Sequence, residues 1–385
     1  MTTSFAEYLR LYETSWLKLQ RTSPTLNSYE DRSLYTTWQV TYDRIRGQNA
    51  ASAQLLKLWA YFDKQDVWFE LLQHAYDTDD EWIQKLTEDE LSFNEAVRLL
   101  CEYALVHPEP SLGRSSKSTG YGVHSCVHSW SISVLNSEWD DDLAQLALRC
   151  VASEVPETNE NGWWVLQRRL LQHVARHKQF ITDGKMDVKR MEWALHNLGD
   201  LYADQGRLAE AEAMYDWALQ GCEEAFGPKH ISTLNTINNL GILYADQGRL
   251  AEAEAMYDRA LQGKEEALGP KHISTLDTVN NLGLLYANQG RLAEAEAMYD
   301  RALQGYKDAL RPELLLSYLP ALNTMFSFGD LYERTGREDM AKIMYNRALA
   351  GYTVVQGPSS KWCKELEDRL QALQIASVKP NEDQS

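Results

Sequence analysis

The feature that most constrains this chain is an internal repeat with a period of 42 residues. Three copies of one string, LGDLYADQGRLAEAEAMYDWALQ or a close variant, occupy residues 198–220, 240–262 and 282–304. A fourth, diverged copy is centred on Gly329, and its extra residues fall within 310–320. A fixed period of this size predicts a stack of similar supersecondary units.

Each copy is predicted to form two helices, because apolar residues recur at three- and four-residue steps. In the second copy Gly248 ends the first helix and Gly269 ends the second. Gly241 and Ala253 are small where the two helices would cross. One pair cannot bury its apolar stripe alone, so stacked copies supply the core. The predicted fold class is mainly α, with an α-solenoid of helix hairpins over residues 190–352.

The order of small and large residues, Leu-Gly-Tyr on the first helix and Ala-Tyr-Ala on the second, resembles the tetratricopeptide repeat (TPR). The long period and the GPKH turn, at Gly227 and again at Gly269, are similar to the kinesin-light-chain type of that repeat. The resemblance implies four repeats that begin near residues 190, 232, 274 and 320. It also implies a C-terminal capping helix at 353–377, and residues 378–385 are expected to form a disordered tail.

The N-terminal part, residues 1–152, is predicted to be a winged-helix-like regulatory domain. Its candidate helices lie near residues 33–46, 51–62, 66–76, 90–104 and 128–136, with an apolar alternation at 121–127. The polar run at 153–162 predicts a domain boundary. Residues 163–182 predict an amphipathic helix that caps the first repeat, so 153–189 are read as linker and N-terminal capping helix.

Segments of this part, such as YEDRSLYTTWQVTYDRI and LLKLWAYFDKQDVWFELL, resemble fungal relatives of NACHT and NB-ARC signalling ATPases, the STAND or NLR-like proteins. In that family this region follows the ATPase core and precedes a repeat array. The phosphate loop GxxxxGK[ST] is absent here, because the nearest run, residues 113–119, lacks the second glycine. The sequence therefore resembles the regulatory and sensing half of such a protein without its ATPase core, and no cofactor is expected.

Histidines and cysteines do not assemble into a convincing reactive site. His124 occupies the place of the histidine in the family's nucleotide-contacting motif, but its neighbours differ, so a packing or surface role is expected. His124, Cys126 and His128 are too few for a closed zinc site, which needs four ligands. His173 and His177 stand one helical turn apart without the glutamate of HExxH and are expected on a helix surface. No catalytic or metal-binding residue is predicted, and the chain is expected not to be an enzyme.

Charge narrows the choice of partner. The chain has 38 basic and 56 acidic residues, a net charge of −18, which repels phosphate backbones and anionic lipid. Residues 66–76, the candidate reading helix of a winged-helix domain, contain no Lys or Arg. No nucleic acid or membrane partner is therefore expected. The lack of a long apolar run and the five scattered cysteines are typical of a cytoplasmic protein.

The candidate binding site lies on the first helix of each repeat, on the side opposite its packing stripe. Stacking is predicted to align these positions along a concave groove, where amides can pair with an extended peptide. Ile242 and Leu284 would add apolar contacts. The predicted peptide- or protein-binding residues are Asn197, Asp204, Asn235, Asn238, Asn239, Asp246, Asn280, Asn281 and Asn288. In the alternative, these asparagines solvate an exposed face or bond neighbouring helices to each other.

The predicted function is a non-enzymatic scaffold or sensor that binds a peptide or protein in this groove, in NLR-like signalling. A full-length NLR-like relative is a further candidate partner. One alternative is a kinesin-light-chain-like cargo adaptor, although residues 1–190 lack the sustained heptads of a coiled coil. The other is an inactive remnant of a truncated signalling ATPase.

Overall fold

The computed structural model describes residues 34–75, 80–109, 118–158 and 162–378. The chain divides into two compact units, Met1–Leu201 and Tyr202–Ser385. The predicted disordered tail lies outside the described residues except for Val378, which ends the last helix.

The first unit consists of short helices around one small sheet. Its helices are α1 (Leu34–Gln48), α2 (Ala50–Trp59), α3 (Phe69–Gln73), α4 (Glu81–Thr87), α5 (Glu90–Glu102), α6 (Ser125–Trp130), α7 (Asp141–Ser153) and α8 (Trp163–Thr182). A π-helical turn, Ser131–Leu135, follows α6. Strands β1 (Val106–Pro108) and β2 (Tyr121–Val123) pair antiparallel, and Val67 forms a single bridge to Tyr121. The core of this unit contains the fully buried rings of Trp59, Trp68 and Trp130.

Most of the helices predicted for this unit are present. The candidates near 33–46, 51–62 and 90–104 correspond to α1, α2 and α5. The candidate at 66–76 is reduced to the short α3, because the backbone of Val67 bonds to Tyr121 instead of continuing a helix. Helices α4 and α7 were not predicted from the sequence. The winged-helix assignment stays a prediction.

Helix α8 packs within the first unit, against residues that precede α3. Arg169 donates two hydrogen bonds of 2.8 Å to the Asp66 carboxylate and lies 3.9 Å from the centre of the Trp68 ring. Arg176 donates to the Ala60 carbonyl oxygen at 2.7 Å. The predicted boundary at 153–162 therefore lies inside the first unit. The pattern of α8 is amphipathic, and its Arg169 and His173 side chains contact the Trp68 ring.

Replacing Arg169 by alanine is expected to lower the free energy of unfolding of the first unit by about 2 kcal/mol. The substitution leaves the Asp66 carboxylate without its bidentate partner; the partial exposure of Asp66 keeps the cost below that of a fully buried pair. Arg169→Lys keeps the charge but loses the paired geometry, so it should recover only part of the loss. Urea denaturation followed by tryptophan fluorescence measures both variants. Equal stability of Arg169→Ala and the parent would contradict this account.

The repeats lie in α9–α17, and α9 crosses the division between the two units. The helices are α9 (Glu192–Asp204), α10 (Leu208–Phe226), α11 (Ile231–Asp246), α12 (Leu250–Leu268), α13 (Ile273–Asn288), α14 (Leu292–Ala309), α15 (Pro312–Leu315), α16 (Leu319–Arg334), α17 (Glu338–Gln356) and α18 (Lys361–Val378). The first helices of the four consecutive pairs begin at Glu192, Ile231, Ile273 and Leu319. The short α15 occupies the longer connection that the sequence placed at 310–320.

Local sequence determines where these helices begin and end. The His230 side chain accepts a hydrogen bond from the Ser232 backbone N–H, which caps α11, and His272 caps α13 through Ser274 in the same way. Gly269 ends α12 with a φ of 91°, a left-handed value that favours glycine. The GPKH turn therefore ends one repeat and caps the next.

Small residues let the two helices of a repeat approach each other. A Cβ atom on Gly241 would lie 2.7 Å from the Tyr257 ring, and one on Gly283 would lie equally close to the Tyr299 ring. Ala253 and Ala260 are fully buried on the facing side of α12. In these two repeats the first helix is thus held against the second by a tyrosine that occupies the space of a missing side chain.

One arginine per turn links consecutive repeats. Arg249 donates to Glu212 of the preceding repeat at 2.7 Å, to Glu252 of its own repeat, and lies 4.0 Å from the centre of the Tyr244 ring. Arg291 repeats this arrangement with Glu254, Glu294 and Tyr286, and Arg337 repeats it with Glu296 and Tyr332. The repeated Gly-Arg turn therefore positions each repeat on its predecessor.

Candidate ligand-binding face of the repeats

The candidate site is a set of equivalent positions on α11 and α13, three on each helix, which we call the helix-A face. Its members are Asn235, Ile242 and Asp246 on α11, and Asp277, Leu284 and Asn288 on α13. Five of the six are exposed, and Asp277 is half-buried. Two large apolar side chains stand among them, with Ile242 40% and Leu284 46% exposed. The opposite sides of both helices are buried in the repeat core.

Two of the predicted asparagines are used inside the array. Asn238 is 8% exposed, and its side-chain oxygen accepts a hydrogen bond of 3.0 Å from the Thr278 hydroxyl of the next repeat. The Asn280 oxygen accepts from the Thr324 hydroxyl at 2.7 Å in the same way. The expectation that Asn238 is open to a ligand is therefore corrected. A buried amide next to a threonine is more stable when it bonds to that threonine, so the alternative role as a helix-to-helix contact applies here.

The neighbouring asparagines continue this network. The Asn281 amide donates to the Asn238 oxygen at 3.3 Å, and the Asn238 amide donates to the Asn239 oxygen at 3.4 Å. Asn239 and Asn281 are half-buried. These asparagine amides therefore bond to each other, both within one helix and between neighbouring repeats.

Asn197 of the first repeat, which was predicted to bind a ligand, contacts a backbone group instead. The Asn197 amide donates to the carbonyl oxygen of Ala152, at the end of α7 within the first unit, at 3.1 Å. Its partner is therefore a helix end that the sequence did not connect with this position. Asp204 is exposed in the second unit.

The Asp277 carboxylate of the helix-A face accepts hydrogen bonds from two tyrosines. The Tyr306 and Tyr318 hydroxyls donate to Asp277 at 2.7 and 3.0 Å. Burial raises the pKa of Asp277, and the hydrogen bonds from the two tyrosines lower it in part. Sequence reasoning missed this cluster, although Tyr306 stands where the preceding repeat has Lys264, and Tyr318 lies in the longer connection.

Lys264 is itself unusual, because only 2% of it is exposed. Its ammonium donates to the Ser274 carbonyl oxygen at 3.2 Å and to the Thr278 hydroxyl at 3.1 Å. Burial lowers its pKa to about 8, and the negative charge of Asp277 opposes that change. Lys264 thus binds the start of α13 to the preceding repeat.

Asp246, the other carboxylate of the helix-A face, differs from Asp277 in its contacts. It is exposed and makes no hydrogen bond or ion pair to other residues in the part of the chain that the structure describes. Partial loss of solvent raises its pKa. The nearby Arg249 is held by Glu212 and Glu252. Asp246 is therefore a negative charge on the helix-A face without a positive partner.

The histidines of the first unit are structural. His124 is exposed and caps α6 by accepting from the Cys126 backbone N–H. His128 is buried and contacts the carbonyl oxygens of Trp59 and Phe62 at 3.3 and 3.2 Å. Within the described ranges no three His, Cys, Asp or Glu side chains are grouped so as to hold a metal ion.

His173 and His177 are fully buried, which corrects their predicted place on a helix surface. His173 accepts from the Asp63 backbone N–H at 3.1 Å, and its other ring nitrogen lies 3.1 Å from the Asp66 carbonyl oxygen. Their rings pack against Phe62 in edge-to-face contacts. The prediction placed His173 and His177 on the surface because histidine is polar, but the side of α8 that carries them is buried.

Among the described residues, no helix combines the length and the apolar character that a membrane crossing requires. All five cysteines are free thiols, and Cys150, Cys222 and Cys363 are buried.

Comparison with protein families identifies the repeats. The model of the tetratricopeptide repeat matches residues 190–266 and 232–308, and a second tetratricopeptide repeat model matches 322–350. These segments are tetratricopeptide repeats, as the sequence pattern predicted. They coincide with the helix pairs from α9 to α14 and with α16 and α17. Proteins with such repeats bind peptide or protein partners. No curated protein matches the chain.

Comparison with solved structures gives matches of low sequence identity. BtubC (BKLC) from P. vanneervenii is 19% identical, with 63% of this chain and 84% of that chain covered and a TM-score of 0.34. A Podosopora anserina protein described as a kinesin light chain with nearly identical TPR-like repeats is 17% identical, with 50% and 99% covered and a TM-score of 0.38.

A signal transduction ATPase with numerous domains and a tetratricopeptide repeat sensor, from Pyrococcus horikoshii, is also similar. It is 14% identical, with 98% of this chain covered and a TM-score of 0.47. The chain spans about half of that protein, 55% of its length.

Proposed function

We propose that this chain is a non-enzymatic scaffold or sensor whose helix-A face binds a segment of a partner protein, in NLR-like signalling. The tetratricopeptide repeats support the binding role, because stacked helix pairs expose a continuous row of first helices to a ligand. The signalling context is part of the proposal and follows from the order of parts that the sequence resembles.

One observation carries this proposal: where the first helices of two nearly identical repeats differ, three of the four differences lie on the helix-A face. Helices α11 and α13 differ at four positions, and three of them are the face positions. The fourth, Ile237 against Val279, is a conservative change in the core. The first fourteen residues of α12 and α14 are identical, including the exposed Ala255 and Ala297. Exposure alone therefore does not explain where the copies differ.

Different side chains at equivalent positions are what a repeat array needs to read an extended ligand. Each repeat then presents its own combination of apolar, amide and acidic groups to a different part of the partner. Half-buried Asn239 and Asn281 can add hydrogen bonds to a ligand backbone, each worth about 0.5–1.5 kcal/mol. Several such hydrogen bonds give a modest affinity, and apolar contacts with Ile242 and Leu284 increase it.

Replacing Ile242 and Leu284 by serine together is expected to weaken partner binding at least about tenfold, because both lose apolar contact with the ligand. Since neither side chain belongs to the buried side of its helix, the helical circular dichroism and melting temperature should stay close to those of the parent. The measurement is the affinity of a partner that is isolated from native extract with the full chain. Ala255→Ser with Ala297→Ser is the matched control, because these exposed alanines lie on α12 and α14. Equal loss in both double variants, or in neither, would reject the helix-A face.

A further inference from the structure

The chemistry of the helix-A face indicates which ligand it suits. Helices α11 and α13 contain no Lys or Arg anywhere along their length. Their charged residues are Asp246 and Asp277 only. A ligand carboxylate would therefore meet no cation on these helices, and the net charge of −18 adds a general repulsion.

The two aspartates differ in what they can still bind. Asp277 already accepts hydrogen bonds from Tyr306 and Tyr318 and feels the positive charge of Lys264. Asp246 has no such partner among the described residues, and partial loss of solvent raises its pKa. A positive group supplied from outside would stabilise the charged form of Asp246.

The basic side chain closest in sequence is not free to supply that charge. Arg249 donates to Glu212, to Glu252 and to the Gln247 side-chain oxygen. Its guanidinium also lies 4.0 Å from the centre of the Tyr244 ring. These contacts position the repeats and would be lost if Arg249 turned toward Asp246.

Apolar surface accompanies the free carboxylate. Ile242 precedes Asp246 by four residues, so both side chains lie on the same side of α11. Leu284 provides the equivalent apolar group on α13. Neighbouring packed helices lie about 10 Å apart, and an extended chain advances about 3.3 Å per residue. An extended ligand therefore covers one repeat with roughly three residues.

We infer that the ligand of the helix-A face is an extended basic segment of another protein, which places a Lys or Arg at Asp246 and apolar side chains against Ile242 and Leu284. This inference rests on the proposed function and specifies its partner. The C-terminal residues 379–385 of the chain itself fit poorly, because Glu382 and Asp383 outnumber Lys379. We also expect acidic peptides to bind this face weakly, because α11 and α13 contain aspartates and no Lys or Arg.

Three synthetic peptides of about twelve residues test the charge preference, since that length spans four repeats at roughly three residues each. All three carry leucine at every third position, and the other positions alternate glycine with lysine, serine or glutamate. Titration calorimetry with the full chain at low salt should show the lysine peptide binding at least about tenfold more tightly than the serine peptide. The glutamate peptide should bind most weakly.

Single substitutions separate a local contact from the overall charge. Asp246→Asn is expected to weaken the lysine peptide by about tenfold and to leave the serine peptide unchanged. Its equivalent in the next repeat is already an asparagine, Asn288, so the fold should tolerate it. Asp258→Asn is the matched control, because it removes one charge from exposed α12 and reproduces Asn346 of the fourth repeat. The control should change the affinity for the lysine peptide less than about twofold, because solvent and salt screen an exposed charge that does not contact the ligand.

These measurements test the basic-ligand inference and the proposed function separately. Equal binding of the lysine and serine peptides, or equal effects of Asp246→Asn and Asp258→Asn, would overturn the basic-ligand inference. If Ile242→Ser then weakened all three peptides alike, the helix-A face would remain a binding surface for ligands of another charge. Absence of binding by the lysine peptide would also overturn the inference, and the partner affinity of the serine double variant would decide the proposed function separately.

Discussion

Replacing Gly241 by leucine is expected to lower the free energy of unfolding of the repeat array by at least about 3 kcal/mol. Even the first added carbon would lie 2.7 Å from the Tyr257 ring, and leucine adds three more carbons in a region without free space. Tyr257 is 3% exposed and packs in a cluster with Ala253, so it cannot turn away without opening the core. The helices α11 and α12 would have to separate.

Thermal melting followed by circular dichroism measures this effect. For a unit of this size, 1 kcal/mol corresponds to about 2–4 °C, so the melting temperature should fall by roughly 6–12 °C or more. Ala255→Leu is the matched control, since it adds a leucine on the exposed side of α12, where the fourth repeat carries Ile343. The control should melt within about 2 °C of the parent. A Gly241→Leu protein that melts with the parent would show that the crossing of α11 and α12 is wrongly placed.

Acidification to pH 5 is expected to destabilise the first unit by about 2 kcal/mol each for His128 and His177. Burial lowers the pKa of His128 to about 4 and that of His177 to about 3, and it also lowers the pKa of His173. In the unfolded chain each histidine titrates near its ordinary value of 6.5. Both ring nitrogens of His177 lack a hydrogen-bond partner among the described residues, so no contact compensates its protonation.

The sign of this dependence follows from proton uptake. Above about pH 6.5 these histidines are neutral in both states, so they impose no pH-dependent cost. Between pH 6.5 and the folded pKa values, only the unfolded chain binds the protons, and stability falls as the pH falls. The loss levels off below about pH 3, where the folded histidines are protonated as well.

A single substitution isolates this effect. His177→Leu should retain about 2 kcal/mol that the parent loses at pH 5, and at pH 7.5 it should be at least as stable as the parent. Urea denaturation monitored by tryptophan fluorescence at the two pH values provides the comparison. His107→Leu serves as the control because its side chain is 55% exposed. If both variants kept the pH dependence of the parent, the acid sensitivity would have to come from carboxylates instead.

The repeat architecture could be predicted because every copy contains the same residues at the helix crossing and at the turns. Gly241, Tyr257 and the Gly-Arg turn recur at fixed positions, so one reading of the helix pair applied to three copies. The longer connection at 310–320 was also visible as a change of period. In contrast, α4 and α7 were missed because neither recurs and each packs through contacts distant in sequence.

Only part of the candidate site could be predicted. Helical periodicity correctly indicated that Ile242, Asp246 and Asn288 are exposed. It did not distinguish Asn238 from them, because that distinction depends on Thr278 in the next helix. The two tyrosines on Asp277 and the burial of His177 likewise depend on side chains that meet only after folding. A periodic pattern indicates which side a residue is on, but not what lies opposite it.

The networks at the repeat junctions leave a small set of side chains for binding. Arg249 and Asn238 are committed to neighbouring repeats, as are the buried Lys264 and its partner Thr278. What remains on the helix-A face is apolar surface, accessible amide groups and the unpaired Asp246. Binding at this face would thus leave the contacts between repeats intact.

The most direct test of the central claim is a photo-crosslinking map of the bound protein. A photoreactive amino acid is placed at Ile242 or Leu284 on the helix-A face, and at Ala255 or Ala297 on the second helices. The account predicts that adducts with the partner form from the first two positions and that excess unlabelled chain suppresses them. Adducts that form mainly from Ala255 and Ala297 would contradict it and would place the partner on the second helices.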